Sequence, residues 1–383
     1  MDNLTHSLVG LAVAKAGLEK LSPGATTLCV LAANSPDADI VALIFGGRWA
    51  FLQHHRGISH SIVGAFALAL ALPLIFYLGD WLLAGARHRA RSIRLPGLLV
   101  ASLVATATHP FLDWTNNYGV RFLLPWNPKW FYGDFVFIID PFLWIILGGA
   151  AFLLTSKTKT HIVVWLLIAL LPSYLVLMGP GSAILPATEI LLRLLWIVAL
   201  IVLVRLYRRN IGGRLGAKIA IASLAIATVY CAGLAVTHAV ALRQARIQAT
   251  TVAKMNTEEL VRVAAMPTIA NPTAWVCVME TNRATYRFNL SLLRSSPDSA
   301  NIVRYEKPMG LEAEEVAQAA RDSRSQVFLG FARFPVVRVV GEDCATQTLV
   351  QFADLRYTEP GRARGTFSLD VPVECPTLAK REK

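Results

Sequence analysis

Residues 96–114 read PGLLVASLVATATHPFLDW. As an α-helix this stretch is ~28 Å long, close to the ~30 Å that a bilayer's hydrocarbon core requires. It carries no charge until its end, where His109 and Asp113 appear. Four residues apart, they project from one helix face. Ionisable groups inside or at the edge of a membrane are costly and mark functional sites by default. His-x-x-x-Asp is weak evidence alone, because such pairs also act as simple helix-stabilising contacts.

The same length and apolarity recur along the chain. Further spans are expected at 61–84, 135–155, 161–179, 183–204 and 216–240. Two weaker segments precede them. Residues 4–18 allow a helix only ~22 Å long. Residues 25–45 are interrupted at Asn34-Ser35-Pro36, where Pro36 breaks one helix or begins another with Ser35 as N-cap. Two short spans or one re-entrant hairpin both fit.

Composition agrees. Of 383 residues, 55% are hydrophobic and 16% charged, against about 25% charged in a soluble domain. The mean hydropathy is +0.49. Apolar blocks fill roughly the first 240 residues, while 243–383 have the composition of a soluble domain. The expected fold is an α-helical polytopic membrane protein, with about 6–8 membrane helices over 1–242 and a soluble α+β domain over 243–383. In that domain Ala274–Glu280, Thr285–Leu292, Gln326–Phe334, Val336–Val340 and Gln347–Phe352 read as strands and Leu311–Arg321 as an amphipathic helix. No histidine follows His238, so the domain is expected to pack, cover or bind a protein partner.

The net charge of +12 sits largely in loops between spans, so no nucleic-acid partner is expected. Arg87, Arg89, Arg91 and Arg94 follow one span, Lys157 and Lys159 another, and Arg205, Arg208, Arg209, Arg214 and Lys218 a third. These alternate loops are the basic ones, which makes them cytoplasmic by the positive-inside rule. Residues 46–60, 115–134, 180–182 and the C-terminal domain then face the other side. The N-terminus lacks the basic region of a cleavable signal and is expected to be retained. The five cysteines show no Cys-x-x-Cys spacing; two among Cys277, Cys344 and Cys375 could pair in an oxidising compartment.

Two other polar stretches interrupt the apolar pattern: Asn34-Ser35-Pro36-Asp37-Ala38-Asp39 and His54-His55-Arg56-Gly57-Ile58-Ser59-His60-Ser61. Gly57 offers a sharp turn there, and Ser59 a cap for the following helix. Five of the eight histidines (His6, His54, His55, His60, His109) lie at such junctions. Imidazole and carboxylate together are a ligand set for zinc or manganese. Depth places the group near the outer rim, with His109 ~21 Å and Asp113 ~27 Å along the helix from Leu95. The loop from Trp114 to Asp134 carries Tyr118, Trp126, Trp130, Phe131 and Tyr132, a density that suits a membrane–water interface.

Asp2-Asn3-Leu4-Thr5-His6, Ser35-Pro36-Asp37-Ala38-Asp39, His55-Arg56-Gly57-Ile58-Ser59-His60-Ser61 and His109-Pro110-x-x-Asp113 resemble the YdjM-type, LexA-regulated family of membrane-bound, metal-dependent hydrolases. The resemblance covers roughly 1–155. It implies His6, Asp37, His55, His60, His109 and Asp113 as metal ligands and hydrolysis as the reaction, in the inner membrane. The expectation is one or two zinc or manganese ions, with Asp39 or Asp134 as general base or orienting group. Arg56 is expected to hold the phosphate of a lipid or lipid-linked phosphoester. Two rivals stand beside it: an ion- or proton-coupled transporter, and a non-catalytic scaffold clamped by a structural metal.

Overall fold

Asp2 starts the chain's first helix: its carboxylate accepts from the Thr5 N–H, capping α1 (Asn3–Lys15). The further helices are α2 (Ala25–Asn34), α3 (Val41–His54), α4 (Ile62–Ala86), α5 (Leu95–Trp114) and α6 (Pro141–Thr155). There follow α7 (Lys159–Met178), α8 (Pro186–Arg208), the short α9 (Ile211–Leu215) and the long α10 (Ala217–Met255). This computed structural model describes residues 1–178, 186–293, 302–341, 347–362 and 365–374.

Contacts divide the chain into two units: 1–38, 56–237 and 267–272 form the first, while 39–55, 238–266 and the described residues from 273 onward form the second. Among the described residues, six helical stretches are long and apolar enough to cross a membrane: Ala25–His54, α4, α5, α7, Glu189–Arg208 of α8, and α10. With two antiparallel sheets at its C-terminal end, the protein is a helical polytopic membrane protein with an α+β domain. Ala25–His54 is broken by a 3-10 turn over Ser35–Ile40, and its second half, α3, belongs to the second unit.

Small residues set the core of the first unit. Ala14, Ala25, Cys29, Ala32, Ala33, Ala101 and Ala105 are buried together with Leu28 and Leu98, so the backbones of α1, α2 and α5 approach closely. A Cβ on Gly10 would lie 2.7 Å from the Cys29 carbonyl oxygen, so only glycine fits. This close approach brings the start of α1, the end of α2 and the end of α5 together.

The expected span 135–155 begins later than its hydropathy suggested. Asp140 caps α6, accepting from the N–H groups of Phe142 and Leu143, and Pro141 occupies the first turn. Ser35 does not cap a following helix; its hydroxyl donates to the Ala32 carbonyl at the end of α2. Ser61, not Ser59, caps α4. The sharp turn falls on Arg56, which takes the left-handed conformation at φ 53°. The expected span 216–240 is part of a helix that continues to Met255.

In the second unit Ala241, Ala245, Ala249 and Ala253 of α10 recur every fourth residue and bury one helix face against Trp275, Tyr286 and Phe288. The strands are β1 (Leu260–Thr268), β2 (Asn271–Thr281), β3 (Ala284–Ser291) and β4 (Val303–Glu306), which form one sheet in that order. Helices α11 (Leu311–Ala319) and α12 (Ser323–Phe331) lead to β5 (Pro335–Val340), β6 (Gln347–Asp354) and β7 (Ser368–Glu374), the second sheet. Gln326–Phe334 is therefore largely helical rather than a strand. Asp322 caps α12, and Phe328 and Phe331, one turn apart, are both buried. Cys277 is a buried free thiol, its pKa pushed up by burial; Cys344, Cys375 and residues 180–182 lie outside the described residues.

Candidate metal centre

Four side chains of the first unit converge: Asp37 from the 3-10 turn after α2, His60 from the turn before α4, and His109 and Asp113 from the last turns of α5. His60 Nε2 lies 3.1 Å from His109 Nε2, 3.2 Å from Asp113 Oδ2 and 3.3 Å from Asp37 Oδ1. His109 Nε2 lies 3.3 Å from Asp113 Oδ2 and 3.5 Å from Asp37 Oδ1. Ligands ~2.0–2.1 Å from a tetrahedral ion are about 3.3–3.4 Å from one another. Five edges of the cluster match that spacing, and the donor set of two imidazoles and two carboxylates fits a divalent zinc- or manganese-type ion.

The other atom of each ligand is already engaged. His109 Nδ1 is 2.6 Å from the Ala33 carbonyl, which can only accept, so Nδ1 carries a proton and the neutral ring presents a lone pair at Nε2. Ser59 Oγ lies 3.0 Å from His60 Nδ1, and Asn3 Nδ2 donates to Asp37 Oδ2 at 2.9 Å. Asp113 Oδ1 pairs with the Arg56 guanidinium at 3.0 Å and with the Met1 amine. Such outer partners fix the orientation of metal ligands. Lone-pair atoms facing one another at this range need a proton or a metal ion between them. A proton on one imidazole serves only the contacts of that nitrogen, whereas one divalent ion would serve all four donor atoms. Asp113, His60 and His109 are shut from solvent, while the Asp37 side chain is 18% exposed and marks the open side.

His6 lies beside this group. Its ring stacks on His109 with centroids 3.7 Å apart, and its Nε2 is 3.3 Å from Asp113 Oδ1, the oxygen turned away from the cluster. His6 Nδ1 is buried without a hydrogen-bond partner among the described residues. His55 and Asp39, both in the second unit, pair with each other at 3.0 Å. Asp134 is buried in a left-handed turn just before Phe135, whose N–H bonds the Thr115 carbonyl. Neither Asp39 nor Asp134 belongs to the four-residue cluster.

The expectation that Arg56 receives a phosphate does not fit its surroundings. Its guanidinium is buried, donates to Asp113, to the Asn116 side chain and to the Asp113 and Gly119 carbonyls, and stacks over Tyr118 at 4.7 Å. Arg56 therefore fixes Asp113, and part of the aromatic loop packs Arg56. The outer partners Asn3 and Ala33 were not singled out from the sequence, and Ser59 was read there only as a helix cap. Asn3 and Ser59 lie inside quoted motifs, but Ala33 acts through its backbone, which no residue type signals.

With this geometry in place, comparison with known proteins shows what the N-terminal part of the chain is similar to. Residues 1–181 match the family model of the YdjM inner membrane protein. That region holds all four clustered residues. Two relatives are 29% identical: the uncharacterized protein YfhP of Bacillus subtilis (strain 168), over 159 residues, and the inner membrane protein YbcI of Escherichia coli (strain K12), over 161 residues. These alignments cover 38% and 41% of this chain; they span 43% of YfhP and 82% of YbcI. No solved structure matches the chain.

Proposed function

We propose that this protein is a membrane-bound, metal-dependent hydrolase acting on a lipid or lipid-linked phosphoester at the non-cytoplasmic face. The observation that carries the reading is the convergence of Asp37, His60, His109 and Asp113 at tetrahedral spacing, with every ligand held from behind. A divalent ion held there supplies Lewis-acid polarisation of a substrate oxygen and a water far more acidic than bulk. The chain's own residues do the rest. Arg56 and Ala33 keep Asp113 and His109 aimed inward, and the partly exposed Asp37 leaves substrate one side of approach. Asp39, two residues beyond Asp37, and Asp134 are the carboxylates proposed to take the proton. The C-terminal domain is proposed to face the same side and to engage a protein partner.

One observation favours a second reading, a structural clamp. Four protein atoms already stand within 4.8 Å of one another, enough to fill a four-coordinate site, whereas catalytic zinc keeps a position for water. Detergent-purified protein separates the two. The hydrolase reading expects cleavage of a phosphodiester or phospholipid that chelator abolishes and zinc or manganese restores. Metal-loaded protein that turns over no ester or phosphoester, yet unfolds on chelation, supports the clamp instead.

A further inference from the structure

The first unit contains a cleft that the metal centre does not use. Helices α1, α6, α7 and α8 enclose a cavity of about 350 Å³, within the ~300–1,000 Å³ typical of small-molecule sites. Leu4 and Leu8 of α1, Gly148 and Gly149 of α6, Trp165 of α7 and Trp196 of α8 all line it. The three indoles on its walls turn their N–H groups to internal acceptors: Trp144 to Asp2 and Thr5, Trp165 to Thr155, Trp196 to Ser173. What the cleft presents is therefore almost entirely carbon.

Its position decides what fills it. Helices α7 and α8 contribute two of the six candidate membrane spans, so the medium around the cleft is hydrocarbon. A polar or charged ligand would lose its hydration there and find no partner. A volume of about 350 Å³ is on the scale of one acyl chain. We propose that this cleft seats one acyl chain of a membrane phospholipid. Leu4 and Leu8 sit on either side of His6 in α1, and Trp144 bonds the first turn of the same helix. Cleft and metal centre thus share α1 as a common wall. This makes an acyl lipid, not a soluble phosphoester, the substrate class of the proposed hydrolase; that second clause rests on the hydrolase reading, whereas chain binding does not.

The test uses full-length protein in phosphatidylethanolamine vesicles doped with a phosphatidylglycerol that carries a diazirine midway along one acyl chain. Gly148→Leu and Gly149→Leu fill the cleft; a Cβ at Gly148 meets only Leu8 carbons at 3.7 Å, so the change is tolerated until the longer side chain enters the cavity. Gly79→Leu is the control, because a Cβ there has open space. Labelled peptides are expected to map to α6–α8, with labelling at least fivefold lower in Gly148→Leu and unchanged in Gly79→Leu. His109→Ala is expected to keep full labelling, so failure of the metal reading and failure of the cleft are separable. Labelling spread evenly over α4 and α10, or undiminished in both cleft variants, overturns the proposal. Stronger cleft labelling by a diazirine isoprenoid phosphate also overturns it, by naming a different occupant.

Discussion

Asn3→Ala isolates the outer support of the metal centre. Asn3 donates to Asp37 Oδ2 at 2.9 Å, leaving Oδ1 for the cluster. The residue occupies the first turn of α1, where alanine is an excellent helix former, so the fold has little to lose. Removing an outer partner of a metal ligand typically costs 10–100-fold in affinity. Asp37 is partly exposed, so water substitutes in part for the lost amide. The expected loss is therefore at the lower end, about tenfold, or ~1.4 kcal/mol. Competition between the protein and a fluorescent zinc chelator, in detergent at constant pH, reads this directly. Equal zinc affinity in Asn3→Ala and wild type, with unchanged thermal unfolding, would refute the claim that Asp37 is an oriented ligand.

Arg56→Ala leaves the buried Asp113 without its guanidinium, and breaking a buried pair of this kind costs about 3–5 kcal/mol; thermal unfolding in detergent should show a large drop. If instead stability is kept and only substrate KM rises, Arg56 faces substrate and its assignment here is wrong. Gly64→Ala places a methyl group against the Ile58 carbonyl, in the turn that carries His60. Metal affinity is expected to fall at least tenfold in that variant, and a variant with wild-type affinity would show that the His60 turn need not be fixed. In the C-terminal domain, desolvation opposes ionisation of Glu258, but hydrogen bonds from Thr281, Arg304 and Tyr286 outweigh it and hold its pKa below the usual carboxylate range. A lowered folded-state pKa gives stability that is present above the unfolded value, about 4.3, and lost as pH falls through the folded one. Glu258→Gln should flatten acid unfolding of this domain below about pH 4.3; an unchanged acid limb would contradict the network.

The membrane helices were legible because span length and apolarity are set by the bilayer. What the sequence hid were boundaries and partners set by packing. Ala241, Ala245, Ala249 and Ala253 extend α10 by burying against the sheet, while Arg243 and Arg246 among them made the region look like the end of a span. Phe328 and Phe331 gave α12 the appearance of a strand, and its Asp322 cap is a single residue easily missed. The strands β1, β4 and β7 each pair with the strand next to them in sequence, but their residues signal a strand weakly: β1 carries Ala264, Ala265 and Pro267, β4 is only four residues long, and β7 contains Pro372. For the metal centre, the motif residues His60, His109, Asp37 and Asp113 were visible as types out of place in apolar surroundings. Which histidine of the His54–His60 stretch would turn inward depended on the Arg56 turn and the Ser61 cap, and those are properties of the backbone.

The central claim is that this cluster holds a metal ion. Elemental analysis of purified protein, wild type beside His109→Ala and His60→Ala, addresses it without knowledge of a substrate. The account predicts about one equivalent or more of zinc or manganese per wild-type chain and loss of that metal in folded variants. Wild-type protein that carries no divalent metal after purification without chelator and takes up none on addition, or a His109→Ala protein with full metal content, would contradict it.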